Sequence, residues 1–126
     1  MNHNPVGWFE IYVQDMERAK RFYESVFQMQ LERLNSPPDM PIELWSFPML
    51  KDRMGASGAL VKMDHGPSGG NAVLVYFSCA DCAVEAACAA SAGGQVVREK
   101  MSIGPYGFIA LIRDTEGNMI GLHSMQ

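Results

Sequence analysis

Hydrophobic positions dominate residues 8–13, near the start of the chain, where the side chains are mostly aromatic or β-branched and Glu10 is the one charged residue. This composition predicts a β-strand, with Trp8, Glu10 and Tyr12 on one face and Phe9, Ile11 and Val13 on a drier face. From residue 16 to residue 27 the apolar positions instead recur every three or four residues, after Asp15 as a suitable N-cap. This spacing predicts an amphipathic helix. Segments 28–34, 42–47 and 58–63 are predicted as three more strands, giving a βαβββ order.

The same order of elements is predicted again after residues 64–71, whose glycine, proline and polar composition is typical of a connector. A strand over 73–78, a helix over 82–92 and strands over 95–100, 107–113 and 119–124 follow. An offset of 66 residues aligns Trp8 with Leu74 and Asp15 with Asp81, which indicates a divergent duplication. We therefore predict an α+β domain of two tandem βαβββ modules, at 6–63 and 72–126.

Composition limits the classes of function. The 126 residues are 48% hydrophobic, enough to bury a core without disulfides. A net charge of -4 provides no field that attracts nucleic acid or anionic lipid, and no apolar run approaches the roughly 18 residues that a membrane span needs. The N-terminus lacks the basic and apolar regions of a secretion signal, and three cysteines fit reduced thiols. We therefore expect a cytoplasmic protein with a small-molecule ligand.

Two sequence motifs carry a family resemblance. They are the segment Val13-Gln14-Asp15-Met16-Glu17-Arg18-Ala19-Lys20-Arg21-Phe22-Tyr23 and the turn Asp114-Thr115-Glu116-Gly117-Asn118. Together with the two βαβββ units, they resemble the vicinal oxygen chelate superfamily, which includes glyoxalase I, bleomycin-resistance proteins and extradiol dioxygenases. The resemblance implies two sheets that curve into a cup, with helices outside and a ligand in the concave face. It also implies a homodimer. Exposed sheet edges are an independent reason to expect one, because pairing between two chains would cover them.

The resemblance also implies where metal-dependent members hold their metal, with one ligand from each of four strands. In this sequence those positions are Trp8, about Gly58, Leu74 and Gly121. Divalent metals need imidazole, carboxylate or thiolate donors, which indole, aliphatic carbon and glycine do not supply. We therefore predict no metal and no other cofactor.

Candidate ligand contacts are the residues that share the predicted inner face of the cup, with two further aromatic residues as walls. They are Trp8, Tyr12, Leu74, Tyr76, Ser78, Met119 and Gly121, and the walls are Trp45 and Tyr106. Glycines in segment 103–107 are expected to permit hinge motion around Tyr106. The alternative is an ordinary turn before a strand.

Glu10 and His123 are the candidate catalytic residues. Desolvation between aromatic side chains is expected to raise the pKa of Glu10 and make it a general base, with His123 as partner acid or orienting group. The alternative is that Glu10 and His123 form a polar pair without chemistry. A redox role for Cys79 and Cys82, in a C-x-x-C arrangement, is disfavoured because Asp81 between them opposes thiolate formation.

The sequence therefore predicts binding of a small, largely apolar organic molecule without a metal, with proton abstraction or isomerisation through Glu10 if the chain is an enzyme. One alternative is a metal-dependent lyase, isomerase or dioxygenase with ligands displaced to Glu10 and His123. The other is a non-catalytic protein that sequesters a drug or metabolite, of the bleomycin-resistance kind.

Overall fold

The computed structural model describes residues 1–64, 66 and 72–126. These residues form two compact units. The N-terminal unit is Trp8–Val73, and the C-terminal unit combines Met1–Gly7 with Leu74–Gln126. Most of the predicted connector at 64–71, including His65, lies outside the described residues.

The N-terminal unit is built from one helix and a mixed sheet. Its elements are β1 (Val6–Tyr12), α1 (Met16–Phe27), β2 (Glu32–Leu34), β3 (Ile42–Ser46) and β4 (Ser57–Met63), the first two residues of β1 belonging to the C-terminal unit. The strand order is β2-β3-β4-β1, with β1 parallel to β4 and the other neighbours antiparallel.

The bounds of helix α1 are set by its two flanking residues, Asp15 and Gln28. The Asp15 carboxylate accepts a hydrogen bond from the Arg18 backbone N–H at 3.0 Å, as an N-cap does, and this bond lowers the pKa of Asp15. Gln28 adopts a left-handed conformation (φ 51°, ψ 52°) that ends the helix. For this reason the strand predicted over 28–34 is confined to β2. Buried Met16, Leu31 and Leu60 fill the space between α1 and one face of the sheet.

The C-terminal unit repeats this arrangement. Its elements are β5 (Val73–Ser78), α2 (Cys82–Ser91), β6 (Gln95–Ser102), a 3-10 turn (Gly104–Tyr106), β7 (Phe108–Arg113) and β8 (Met119–Ser124), with Val73 belonging to the N-terminal unit. The strand order is β5-β8-β7-β6, and β5 is parallel to β8. Helix α2 packs on one sheet face through Cys82 and Ala86, against Ala110, Ile112 and Leu122.

Side chains at the start of α2 satisfy its first backbone N–H groups. Asp81 accepts from the Ala83 N–H and the Ser124 hydroxyl accepts from the Cys82 N–H, both at 3.0 Å. Lys100 Nζ donates to Asp81 at 2.9 Å, and this bond is the main cause of the lowered pKa of Asp81. The Asp81 cap therefore matches Asp15 in the first unit, as the duplication predicted.

The α+β fold of two βαβββ modules is confirmed. In each unit the helix covers one face of the sheet, and we call the opposite face the helix-free face. Among the described residues, no helix is both long enough and apolar enough to cross a membrane.

Candidate functional site

The carboxylate of Glu10 lies on the helix-free face of the N-terminal unit, between two aromatic side chains of the same strand. Trp8 Nε1 donates to Glu10 Oε2 at 3.3 Å, and the Tyr12 hydroxyl donates to Glu10 Oε1 at 2.9 Å. All three residues are partly buried. Residues at i and i+2 point to the same side of a strand, so the predicted alternation places these three together.

Trp8 and Tyr12 donate to Glu10 as neutral groups, and both keep their protons. Burial raises the pKa of Tyr12 far above its ordinary value, and the charge of Glu10 and its hydrogen bond raise it further. The indole N–H of Trp8 can only donate. The arrangement therefore holds the Glu10 carboxylate in a fixed orientation.

The strand next to β1 supplies an apolar lining around this carboxylate. The register pairs Glu10 with Ala59 and Tyr12 with Val61, and Ala59 and Val61 are both buried. Electrostatic interactions are stronger beside buried apolar groups than in water. An apolar lining with a small number of oriented polar groups is the usual composition of a small-molecule site.

Trp45, which was predicted from the sequence as a ligand wall, lies on the opposite face of this sheet from Glu10. The register aligns Trp45 with Leu60, and Leu60 with Ile11, all on the face that α1 covers. Lys20 Nζ lies 3.4 Å from the centre of the Trp45 ring, a cation–π contact. The indole N–H donates to Glu43 at 2.8 Å. Trp45 therefore belongs to the packing between α1 and its sheet.

On the helix-free face of the C-terminal unit, the ring of Tyr76 covers Gly121. The two residues are register partners on β5 and β8, and Tyr76 is only 6% exposed. A Cβ atom built on Gly121 would lie within 2.8 Å of three ring carbons of Tyr76. Of the other predicted contacts in this unit, Leu74 is buried, Ser78 is partly buried and Met119 is exposed.

His123 is the register partner of Ser78, and its ring contacts the turn before β7. His123 Nε2 lies 2.5 Å from the backbone carbonyl oxygen of Tyr106. Both residues were predicted from the sequence to lie near a ligand. The bond between them was not predicted, because no local pattern links two positions that are 17 residues apart. The hydrogen bonds from Trp8 and Tyr12 to Glu10 were also not predicted, although the spacing of two residues on either side of Glu10 indicated that these side chains are neighbours.

The residues at the implied metal positions do not fit a divalent metal. Trp8, Leu74 and Gly121 provide no donor, and Tyr76 fills the space beside Gly121. Gly58 lies opposite Phe9, whose ring would be 2.7 Å from an added Cβ, so the β4 residues on the helix-free face are its neighbours Ser57 and Ala59. The Ser57 hydroxyl donates to the carbonyl of Phe47 at 3.1 Å. Within residues 1–64, 66 and 72–126, no group of three His, Cys, Asp or Glu side chains is placed to hold a metal ion.

The C-x-x-C segment has the properties of packed thiols. Burial, followed by the neighbouring carboxylate of Glu85, raises the pKa of Cys79 to about 12. Cys82 is fully buried in the core under α2. A thiol with a raised pKa, such as Cys79, is a poor nucleophile, and Cys82 is enclosed in the core, so this geometry does not support a redox role.

The family model described as the glyoxalase/bleomycin resistance protein/dioxygenase superfamily matches residues 6–122. No curated protein sequence matches the chain.

Several solved structures share the fold. A methylmalonyl-CoA epimerase from Mycobacterium tuberculosis has a TM-score of 0.69 at 15% identity, over 97% of this chain and 88% of that one. A variant of the Streptomyces coelicolor methylmalonyl-CoA epimerase, in complex with 2-nitronate-propionyl-CoA, has a TM-score of 0.68 at 16% identity, over 96% of each chain. A hypothetical protein from Bacillus halodurans C-125 has a TM-score of 0.70 at 10% identity, over 96% and 94%. These identities establish similarity of fold only.

Proposed function

Because this chain belongs to the glyoxalase/bleomycin resistance protein/dioxygenase superfamily, we propose that it binds a small, largely apolar organic molecule without a divalent metal. The observation that supports this most strongly is the Glu10 carboxylate, held by the Trp8 and Tyr12 donors beside buried Ala59 and Val61. One oriented charge in an apolar lining is able to select a ligand with a single polar centre.

The chemistry we propose is proton abstraction by Glu10. A C–H bond beside a carbonyl of the ligand breaks, the proton moves to the carboxylate, and the electron pair moves onto the carbonyl oxygen. Return of the proton to the same carbon, or to a neighbouring one, gives an epimer or an isomer. Trp8 and Tyr12 hold the base at a fixed orientation, which lowers the entropy cost of the proton transfer.

The similar folds are consistent with this reaction class but do not name the substrate. Two of the compared structures are epimerases, whose reaction inverts a carbon centre. At 15–16% identity their substrate is not transferred to this chain. In the C-terminal unit we keep Leu74, Tyr76, Ser78, Met119 and Tyr106 as proposed ligand contacts, with Gly121 as the position that makes room for the Tyr76 ring.

Solvent isotope exchange tests the proposal. Any molecule that copurifies with the chain is identified by native mass spectrometry and is then incubated with the protein in D2O. We expect deuterium to enter the ligand at one carbon, and Glu10→Gln to abolish this exchange while the ligand still binds. Glu32→Gln is the matched control. Glu32 aligns with Glu10 through the successive strand pairings of this sheet, but it is exposed on β2.

The exchange experiment also separates the alternatives. A ligand recovered without deuterium after long incubation would support sequestration in place of catalysis. Exchange that persists in Glu10→Gln would remove Glu10 as the base. Methylmalonyl-CoA is included as a second probe, since the neighbouring folds include its epimerases. Stoichiometric transition metal in protein purified without added metal would favour the metal-dependent alternative.

We also propose that the chain forms a homodimer in the cytoplasm, as the resemblance and the residue composition predict. Sedimentation equilibrium tests the first part, and a mass equal to one chain at every concentration would contradict it. Fractionation of cells that express the tagged chain tests the second part.

A further inference from the structure

The turn at Gly104–Tyr106 is closed by its own backbone hydrogen bonds. The Gly107 N–H donates to the Gly104 carbonyl at 3.2 Å, and the Ile103 N–H donates to the Gly107 carbonyl at 2.9 Å. Together these two bonds fix the path of the chain from β6 into β7. The carbonyl of Tyr106 is not used by this pair of bonds and accepts from the ring of His123, at 2.5 Å.

The glycines of this segment adopt the positive-φ backbone conformations on which the turn depends. Gly104 (φ 74°) and Gly107 (φ 100°) both lie in the region that disfavours other residues. A Cβ on Gly107 would collide with the Ser124 carbonyl oxygen and lie 3.1 Å from Met125 Sδ. Gly107 is therefore required for close packing against the end of β8. The turn holds Tyr106, whose side chain is 44% exposed, beside the last strand.

The hydrogen bond to Tyr106 determines where the His123 ring carries its proton. A carbonyl oxygen can only accept, so Nε2 must be the donor in this bond. In the neutral imidazole the other nitrogen, Nδ1, is then the acceptor. If Nε2 lost its proton, no hydrogen would lie between Nε2 and the Tyr106 carbonyl oxygen, and this hydrogen bond would be lost. His123 therefore cannot transfer a proton through Nε2 without losing its contact with the turn.

We propose that His123 is a positioning residue that anchors the Tyr106 turn through Nε2–H, and that Nδ1 is its only nitrogen able to accept a proton or a hydrogen bond. This assignment replaces the partner-acid role that the sequence indicated. It rests on the proposed function only in one respect, that Tyr106 is one of the proposed ligand contacts. The anchoring bond itself exists in the free protein and needs no ligand.

The experiment uses the free, full-length chain and two variants at position 123. Glutamine carries an amide nitrogen at the same number of bonds from Cα as His Nε2, so His123→Gln keeps a donor for the Tyr106 carbonyl. His123→Leu removes the donor. Nitrogen NMR of the ring reports the tautomer in the unmodified protein, and amide hydrogen exchange reports the bonds donated by Ile103 and Gly107. The Leu122 amide, in the middle of β8, is the control for correct folding.

We expect the neutral ring to be protonated at Nε2. His123→Leu should speed exchange of the Ile103 and Gly107 amides roughly three- to tenfold, the factor that corresponds to one hydrogen bond. His123→Gln should restore slow exchange, and the Leu122 amide should not change in either variant. A proton on Nδ1, or equal exchange in both variants, would overturn the proposal. If His123→Leu does not fold, the tautomer in the unmodified protein decides. Failure of Glu10 in the isotope experiment would leave these results unaffected.

Discussion

Replacement of Gly121 by alanine should destabilise the C-terminal unit because the Tyr76 ring already fills the space of a side chain there. The new Cβ would lie within 2.8 Å of three ring carbons, whereas non-bonded carbons pack at about 3.5–4.0 Å. Tyr76 is buried, so the ring must move by roughly 1 Å against packed neighbours. Overpacking of this kind costs about 1–3 kcal/mol. The glycine is not at positive φ, so backbone strain does not contribute to this cost.

A double-mutant cycle, measured by urea denaturation, isolates the contact between Tyr76 and Gly121. Tyr76→Ala alone should cost about 3–5 kcal/mol, the loss typical of a buried aromatic ring. In the double variant the alanine at 121 occupies part of the vacated space. The combined loss should therefore fall short of the sum by about 1–3 kcal/mol. Tyr76→Phe keeps the ring and should give no such compensation. Losses that add without coupling would refute the conclusion that the Tyr76 ring occupies this position.

Three further predictions concern titration and packing. Burial holds the pKa of Cys79 near 12, above its ordinary value of 9.0, so the unfolded thiol loses its proton first. Stability should therefore fall as pH rises from about 9 towards 12, and Cys79→Ala should reduce this alkaline loss in pH-dependent denaturation. Lys100 lowers the pKa of Asp81, so the stability from that pair is present above the ordinary value of 3.8 and is lost as pH falls through the lowered pKa. Lys100→Met should accordingly flatten the acid side of a melting-temperature profile, and an unchanged profile would contradict this assignment. Lys20→Met removes the cation above Trp45 and should cost about 0.5–2 kcal/mol in urea denaturation, with no loss if the contact contributes nothing.

The elements that the sequence predicts well are those set by local pattern. The helix predicted over 16–27 has the bounds of α1, and its capping residue Asp15 is the observed N-cap. The alternation of β1 also holds, since Glu10 bonds to Trp8 and Tyr12 while Ile11 packs against the α1 core. In each case the side chain that decides the structure lies within four residues of the feature it controls.

The features that the sequence misses depend on pairing between distant strands. The face of Trp45 is set by the register of β3 against β4, and no pattern within β3 reveals it. The register of β1 against β4 places Gly58 opposite Phe9, so the β4 residues on the helix-free face are Ser57 and Ala59. The bond between His123 and Tyr106 joins β8 to a turn that precedes β7. Such contacts arise only once the sheet has formed, so local periodicity cannot predict them.

A crystal structure of the chain with its copurified molecule is the most direct test of the proposed ligand site. We predict electron density for an organic molecule on the helix-free face of the N-terminal unit, with an acidic C–H or a polar atom within hydrogen-bond distance of the Glu10 carboxylate. The carboxylate should keep its bonds from Trp8 and Tyr12. A transition-metal ion held by side chains of the helix-free faces, or a ligand bound without contact to Glu10, would contradict the account.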